Sequence, residues 1–151
     1  MNPKPTILSI LQNDPWTALT NGAFFAALAA TTIILVVNPY LQESKSGYEP
    51  FFIVISVGLF IAASSVSILR IRYVRNFFAN SVFVKAEIIQ SSPYKSSLRL
   101  NVRYTHQDQV YEKKLSQVIT NKTKKLLQQS EVNLAIDPQN PEQVLIGDVY
   151  F

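Results

Sequence analysis

Two long stretches without a charged side chain constrain this protein more than any other feature. No Asp, Glu, Lys, Arg or His occurs from Ala18 to Val37, and none from Phe51 to Leu69. Each stretch is close to the roughly 20 residues that cross a ~30 Å hydrocarbon core as a helix. The expectation is a membrane α-helical hairpin over residues 16–75, with two transmembrane helices at about 17–38 and 51–70. An N-terminal interfacial arm, 1–15, precedes it, and a β domain, 82–151, follows. That last segment is near the lower size limit for independent folding.

The ends of both stretches carry helix-start and interface signals. Asp14 caps free N–H groups of a first turn and Pro15 has no N–H to lose there. Trp16 then sits at headgroup depth, with its indole N–H wet. Asn38-Pro39 stops the first span and Tyr40 marks the second interface. Glu49-Pro50 repeats the same start before Phe51. Ala27-Leu28-Ala29 matches a small-residue cleavage pattern, but the most apolar part, Ile33–Val37, lies after it, so the segment reads as a retained span.

Orientation follows from Lys and Arg near the span ends. The loop 38–50 carries only Lys45, against Glu43 and Glu49, whereas Arg70, Arg72, Arg75 and Lys85 follow the second span. Basic residues are retained in the cytoplasm, which places both termini there. The spans lack the intramembrane charges that transporters and pumps use. They do carry small residues at four-residue spacing: Gly22, Ala26 and Ala30; Gly58 and Ala62; Ala63 and Ser67. Such stripes let helix backbones approach closely, either within the hairpin or against another membrane protein. Ile7, Leu8, Ile10 and Leu11 in the arm suit a short amphipathic turn lying in the interface, or an arm that folds against a partner.

Beyond residue 80 the pattern changes to alternation. Val82, Val84, Ala86 and Ile88 alternate with Phe83, Lys85 and Glu87, and Leu98, Leu100, Val102 and Tyr104 with Arg99, Asn101 and Arg103. His106–Gln109 reads as a turn, Val110–Ile119 as a returning strand, and Asn121–Gln129 as a short helix capped by Asn121. Val132–Ile136 and Val144–Ile146 complete a small antiparallel barrel or curled sheet around the rigid Asp137-Pro138-Gln139-Asn140-Pro141 turn.

Arg103-Tyr104-Thr105, Val110-Tyr111-Glu112 and the run Val132–Pro141 resemble an uncharacterised bacterial membrane family, a domain of unknown function. That family pairs transmembrane helices with a small β domain ending in an Asp-Pro-x-Asn-Pro turn. The resemblance covers about 84–146 and implies a fold and membrane attachment, with no activity attached.

No catalytic constellation is legible. Cysteine is absent, glycine occurs four times, and the one histidine, His106, falls in an expected solvated turn. No metal shell, nucleophile elbow or phosphate loop is spelled out, and Asp137 and Asp148 read as turn residues. The expectation is no enzyme, no cofactor and no metal. Trp16, Arg70, Arg72, Arg75, Lys113, Lys114, Lys122, Lys124 and Lys125 are expected to face lipid headgroups. An acidic protein partner ranks next, and no nucleic acid is expected, since Glu87, Glu112, Glu131 and Glu142 dilute the field.

Two functions fit these features. One is a non-enzymatic accessory or assembly subunit whose hairpin docks onto a larger membrane protein complex, an energy-transducing one for example, with the cytoplasmic β domain capping or bridging it. The alternative is a membrane-anchored sensor or regulatory module that recognises a ligand or peptide through the β domain.

Overall fold

A computed structural model of the protein describes residues 2–33 and 49–151. The chain divides into two compact units, Met1–Pro15 with Ile71–Phe151, and Trp16–Arg70. The elements are helices α1 (Ile7–Asn13), α2 (Pro15–Thr32) and α3 (Glu49–Asn80), then strands β1 (Val82–Tyr94), β2 (Ser97–His106) and β3 (Gln109–Val118). Helix α4 (Asn121–Lys125) runs into a 3-10 turn, followed by β4 (Glu131–Ile136), β5 (Val144–Ile146) and a last helical turn, α5 (Gly147–Tyr150).

The β domain is one antiparallel sheet of five strands in the order β3-β2-β1-β4-β5. It curls because β1 is shared and kinked. Its first half, Val82–Glu87, pairs with β4, its second half, Glu87–Tyr94, pairs with β2, and a bulge between Ile88 and Gln90 interrupts the β2 pairing just past the changeover. An extra residue at a bulge bends its strand and increases the local twist. The alternation in β2 is realised in full: Leu98, Leu100, Val102 and Tyr104 are buried, while Arg99 and Arg103 are exposed. Their buried face joins Ala86, Val132, Leu134 and Ile136 in one hydrophobic core.

Helices α1, α3 and α5, with Leu126 of the 3-10 turn, complete that core. Helix α3 does not end at the arginines, as a span of 51–70 would, but continues to Asn80. Nothing between Arg70 and Asn80 breaks a helix, and Val74, Phe77 and Phe78 recur at one-face spacing and are buried. Phe78 packs edge-on against Tyr150 and Phe151, with ring centroids 5.2 Å apart in each pair. Ile10 from α1 and Val149 and Tyr150 from α5 are fully or almost fully buried in the same cluster.

The N-terminal arm is therefore part of the β domain's unit, where the sequence suggested a separate interfacial element. Thr6 caps α1 by accepting the Ser9 N–H. The Ser9 hydroxyl donates to the Tyr150 carbonyl at 2.6 Å, and the Tyr150 hydroxyl donates to Asp14 Oδ1 at 2.9 Å. Thr120 donates to Asn13 Oδ1 at 3.1 Å. Periodicity reports a local face; it cannot say which surface that face meets. Domain limits shift accordingly, from a boundary near 75–82 to one at Arg70/Ile71.

Smaller differences are local. The short helix is capped by Thr120, not Asn121, through a capping box in which Thr120 and Thr123 bond reciprocally. The hairpin turn is two residues, Gln107 and Asp108, both at positive φ (49° and 61°), the signature of a type I′ turn. His106 consequently ends β2. The Asp137 turn is as expected, with Asp137 Oδ1 accepting the Gln139 N–H at 2.9 Å.

Among the described residues, one helix is long and apolar enough to cross a membrane, Ile53–Asn80, with a mean hydropathy of 2.0 over its most apolar window. The described part of α2 stops short of the most apolar residues of the first expected span. Ile34–Val37, the Asn38-Pro39-Tyr40 stop and the loop holding Glu43 and Lys45 lie outside the described residues.

Two substitutions check this packing. Ile10→Ala is expected to cost about 2–5 kcal/mol by cavity formation, and Leu8→Ala, on the exposed face of α1, within about 0.5 kcal/mol; thermal unfolding of the full chain in detergent reads both. Asp108→Gly relieves a left-handed backbone that costs roughly 1–2 kcal/mol for residues with a Cβ, and should raise the midpoint in the same experiment.

Candidate functional site

In the unit Trp16–Arg70, α2 and α3 meet through hydroxyls and aromatic rings. The Thr20 and Ser67 hydroxyls are 3.0 Å apart, Thr31 and Ser56 form a second hydroxyl contact, and the Phe24 and Phe60 rings lie 5.0 Å apart between them. Thr20 and Thr31 also bond to carbonyls of their own helix, Trp16 and Ala27. Hydroxyl pairs of this kind hold helices together where the surroundings are apolar. Thr20, Phe24, Ala27 and Thr31 are spaced four, three and four apart, and so are Ser56, Phe60, Ala63 and Ser67. That matched spacing is a sequence signal for the contact. The small-residue stripes do not contain it, apart from Ala63 and Ser67.

The stripes split between two kinds of surface. Ala63 and Ser67 are half-buried on the side that meets α2. Gly22, Ala26, Ala30, Gly58 and Ala62 are exposed, and a Cβ built on Gly22 or Gly58 would touch nothing within 4 Å. Val54, Ile61 and Leu69 are likewise exposed, at 70%, 59% and 64%. Beside the hydroxyl contact an apolar cleft of about 400 Å³ opens between Phe24, Leu28, Ile53, Val57 and Phe60.

The basic residues expected to form a headgroup-facing surface are dispersed. Trp16, Arg72 and Arg75 are exposed and Arg70 is half-buried. Lys113 and Lys114 are neighbours on a strand, so they point to opposite faces. Lys113 lies on the Tyr104 side, 3.7 Å from Glu142, and Lys114 on the other. Lys122 donates to the Phe151 carbonyl at 2.6 Å, while Lys124 and Lys125 are exposed on α4. The five lysines therefore do not share one face, because the strand period of two separates the first pair.

On the solvent side of the sheet, cross-strand rows bring polar groups together. Ser92, Arg99 and Ser116 form one row, and Gln90, Asn101 and Lys114 the next. They line a shallow groove of about 360 Å³. Arg99 stacks on the Tyr94 ring at 3.8 Å. Arg103 donates to Glu112 from Nε and Nη2, at 3.0 and 2.7 Å, and this carboxylate holds the guanidinium further toward its charged form.

On the core side, Tyr104 stacks on Tyr111 with centroids 5.4 Å apart and donates to the Pro141 carbonyl at 2.7 Å. Burial, with Tyr111 and Glu142 nearby, pushes the Tyr104 phenol above its usual range. His106 falls on this side too. It is half-buried, and its Nε2 is buried without a hydrogen-bond partner, in contrast to the solvated turn residue expected. The shorter turn is the reason. Asp148 accepts from the Asn133 backbone N–H and side-chain amide at 2.8 and 2.7 Å, pinning α5 to β4. Among the described residues no group of three or more His, Asp or Glu side chains comes together.

No family of known proteins, no curated protein and no solved structure matches this chain. The geometry itself is the guide to function.

The absence of cysteine makes the helix contact directly testable. The double variant Thr31→Cys with Ser56→Cys should form a disulfide within one chain on mild oxidation, seen as a mobility shift on non-reducing gels. Ala30→Cys with Ser56→Cys should not.

Proposed function

We propose that the protein is a two-pass membrane subunit without catalytic activity of its own, which docks onto a larger membrane protein complex through the outward faces of α2 and α3. The observation that carries the topology is the shared core of residues 1–15 and 71–151. A chain whose two ends fold into one unit must leave and return on the same side of a bilayer. If α3 crosses, the chain crosses a second time between residue 16 and the start of α3, where the charge-free stretch Ala18–Val37 lies. Arg70, Arg72 and Arg75 favour the cytoplasm for that unit. The Asp137–Pro141 turn and its resemblance to a bacterial membrane family of unknown function agree with this reading and add no activity to it.

Docking is supported by the division of labour between helix faces. The hairpin is held by hydroxyls and the Phe24–Phe60 pair, which leaves Gly22, Ala26, Ala30, Gly58 and Ala62 free for close approach by other helices. The β domain then caps or bridges the complex at the membrane surface, an energy-transducing assembly being one candidate.

Gly22→Leu and Gly58→Leu separate docking from folding, since neither added side chain meets this chain's own atoms at Cβ. After mild-detergent extraction, native gels should show the wild type in a large species, and each variant should run as a small free species with unchanged thermal stability. Migration of the wild type itself as a small species would contradict the proposal.

A second reading rests on the polar groove at Arg99 and Lys114, which suits a small anionic ligand and would make the protein a membrane-anchored sensor. Inorganic phosphate raising the unfolding temperature of the full chain, and failing to do so after Arg99→Gln, is its expected signature.

A further inference from the structure

The strand at one side of the sheet, β3, has no neighbour beyond it among the described residues. Ten residues long and carrying exposed Val110, it offers a full row of backbone groups to another strand. Which groups are offered follows from the turn. His106 and Gln109 flank a two-residue loop and so exchange both backbone hydrogen bonds. Alternation along an antiparallel ladder then directs the N–H and C=O of Tyr111, Lys113, Leu115 and Gln117 toward β2. Those of Val110, Glu112, Lys114 and Ser116 point outward.

We infer that β3 pairs antiparallel with β3 of a second copy of this chain, about a two-fold axis through Lys113, joining two five-stranded sheets into one of ten. The outward backbone groups belong to even-numbered residues, so an isologous pairing must set even opposite even. Three central registers satisfy this. An axis at Glu112 sets Glu112 against itself, and one at Lys114 sets Lys114 against itself. An axis at Lys113 sets Glu112 opposite the second copy's Lys114, and Lys114 opposite its Glu112. Two lysines on a sheet edge would ordinarily repel an incoming strand. With Glu112 two positions away, the same charges select one register and one partner, a copy of themselves.

Away from the charged pairs, the same register sets uncharged side chains opposite one another. Gln117 is 6% exposed, and its Oε1 is buried with no hydrogen-bond partner. The Lys113-centred pairing places Gln109 of the second copy directly opposite it. Gln109 uses its own Oε1 to accept from the Tyr111 hydroxyl at 2.8 Å, so this outer pair adds no charge to the interface. Tyr111 meets Leu115 between these pairs. Lys113 meets its own copy at the axis, and each brings a counter-charge, Glu142, at 3.7 Å.

The full chain purified in detergent supplies the test, with the protein mass in the micelle measured by light scattering. The wild type should be a dimer. Lys113→Cys should give a disulfide-linked dimer on oxidation, because the self-opposed residue sits in the close, non-hydrogen-bonded kind of pair, and Lys124→Cys should not. Glu112→Lys and Lys114→Glu, each made alone, should lower the dimer fraction at least tenfold, and the double variant with the charges exchanged should restore it. A monomeric wild type, cross-linking at Lys124→Cys equal to that at Lys113→Cys, or unchanged dimer in both single charge variants would overturn the pairing.

Discussion

The structure depends on the burial of the chain's first helix against its last. Ile10 is fully buried, Asp14 accepts a hydrogen bond from Tyr150, and Ser9 donates to the Tyr150 carbonyl. These contacts bring together residues more than 130 positions apart. They turn a small open sheet into a domain with enough apolar surface to hold, and they fix the route of everything between. Whatever environment residues 16–70 occupy, they enter it from the β domain's unit and return to it.

Helix α3 carries two kinds of surface along one continuous element. From Phe51 to Leu69 it carries no charged side chain. Its last turns bury only one stripe, Val74, Phe77 and Phe78, and expose Arg72 and Arg75. The change in pattern falls close to the division at Arg70/Ile71. At ~1.5 Å per residue, the 32 residues of α3 exceed a ~30 Å hydrocarbon core, so the helix is long enough to cross one and still contribute its last turns to the β domain's core.

Much of the β domain was legible in the sequence, because alternation is a local signal and recurs in segment after segment beyond residue 80. Leu98–Tyr104 announces its buried face residue by residue, and Val132, Leu134 and Ile136 do the same in β4, where Ala135 is buried as well. What failed to show was set by tertiary partners or by single-residue geometry. The turn signal around Gln107 and Asp108 was clear but two residues too wide, and this hid His106 on the core side. The bulge after Ile88 has no glycine to mark it. The arm's apolar residues suited a bilayer interface as well as a protein core, and only the far end of the chain decides between them. In the helices, spacing rules drew attention to glycine and alanine. The contact itself uses threonine and serine at an equally regular spacing, with the glycines left facing outward.

The central claim is that residues 16–70 make one excursion into the bilayer and back. A cysteine-free chain allows this to be mapped one position at a time, with single cysteines and a membrane-impermeant thiol reagent applied to intact and to opened membranes. Thr6→Cys and Asn80→Cys should react only from the cytoplasmic side, Lys45→Cys only from the other, and Ala26→Cys and Ala62→Cys from neither. Labelling of Lys45→Cys from the same side as Asn80→Cys, or ready labelling at Ala26→Cys and Ala62→Cys, would contradict it.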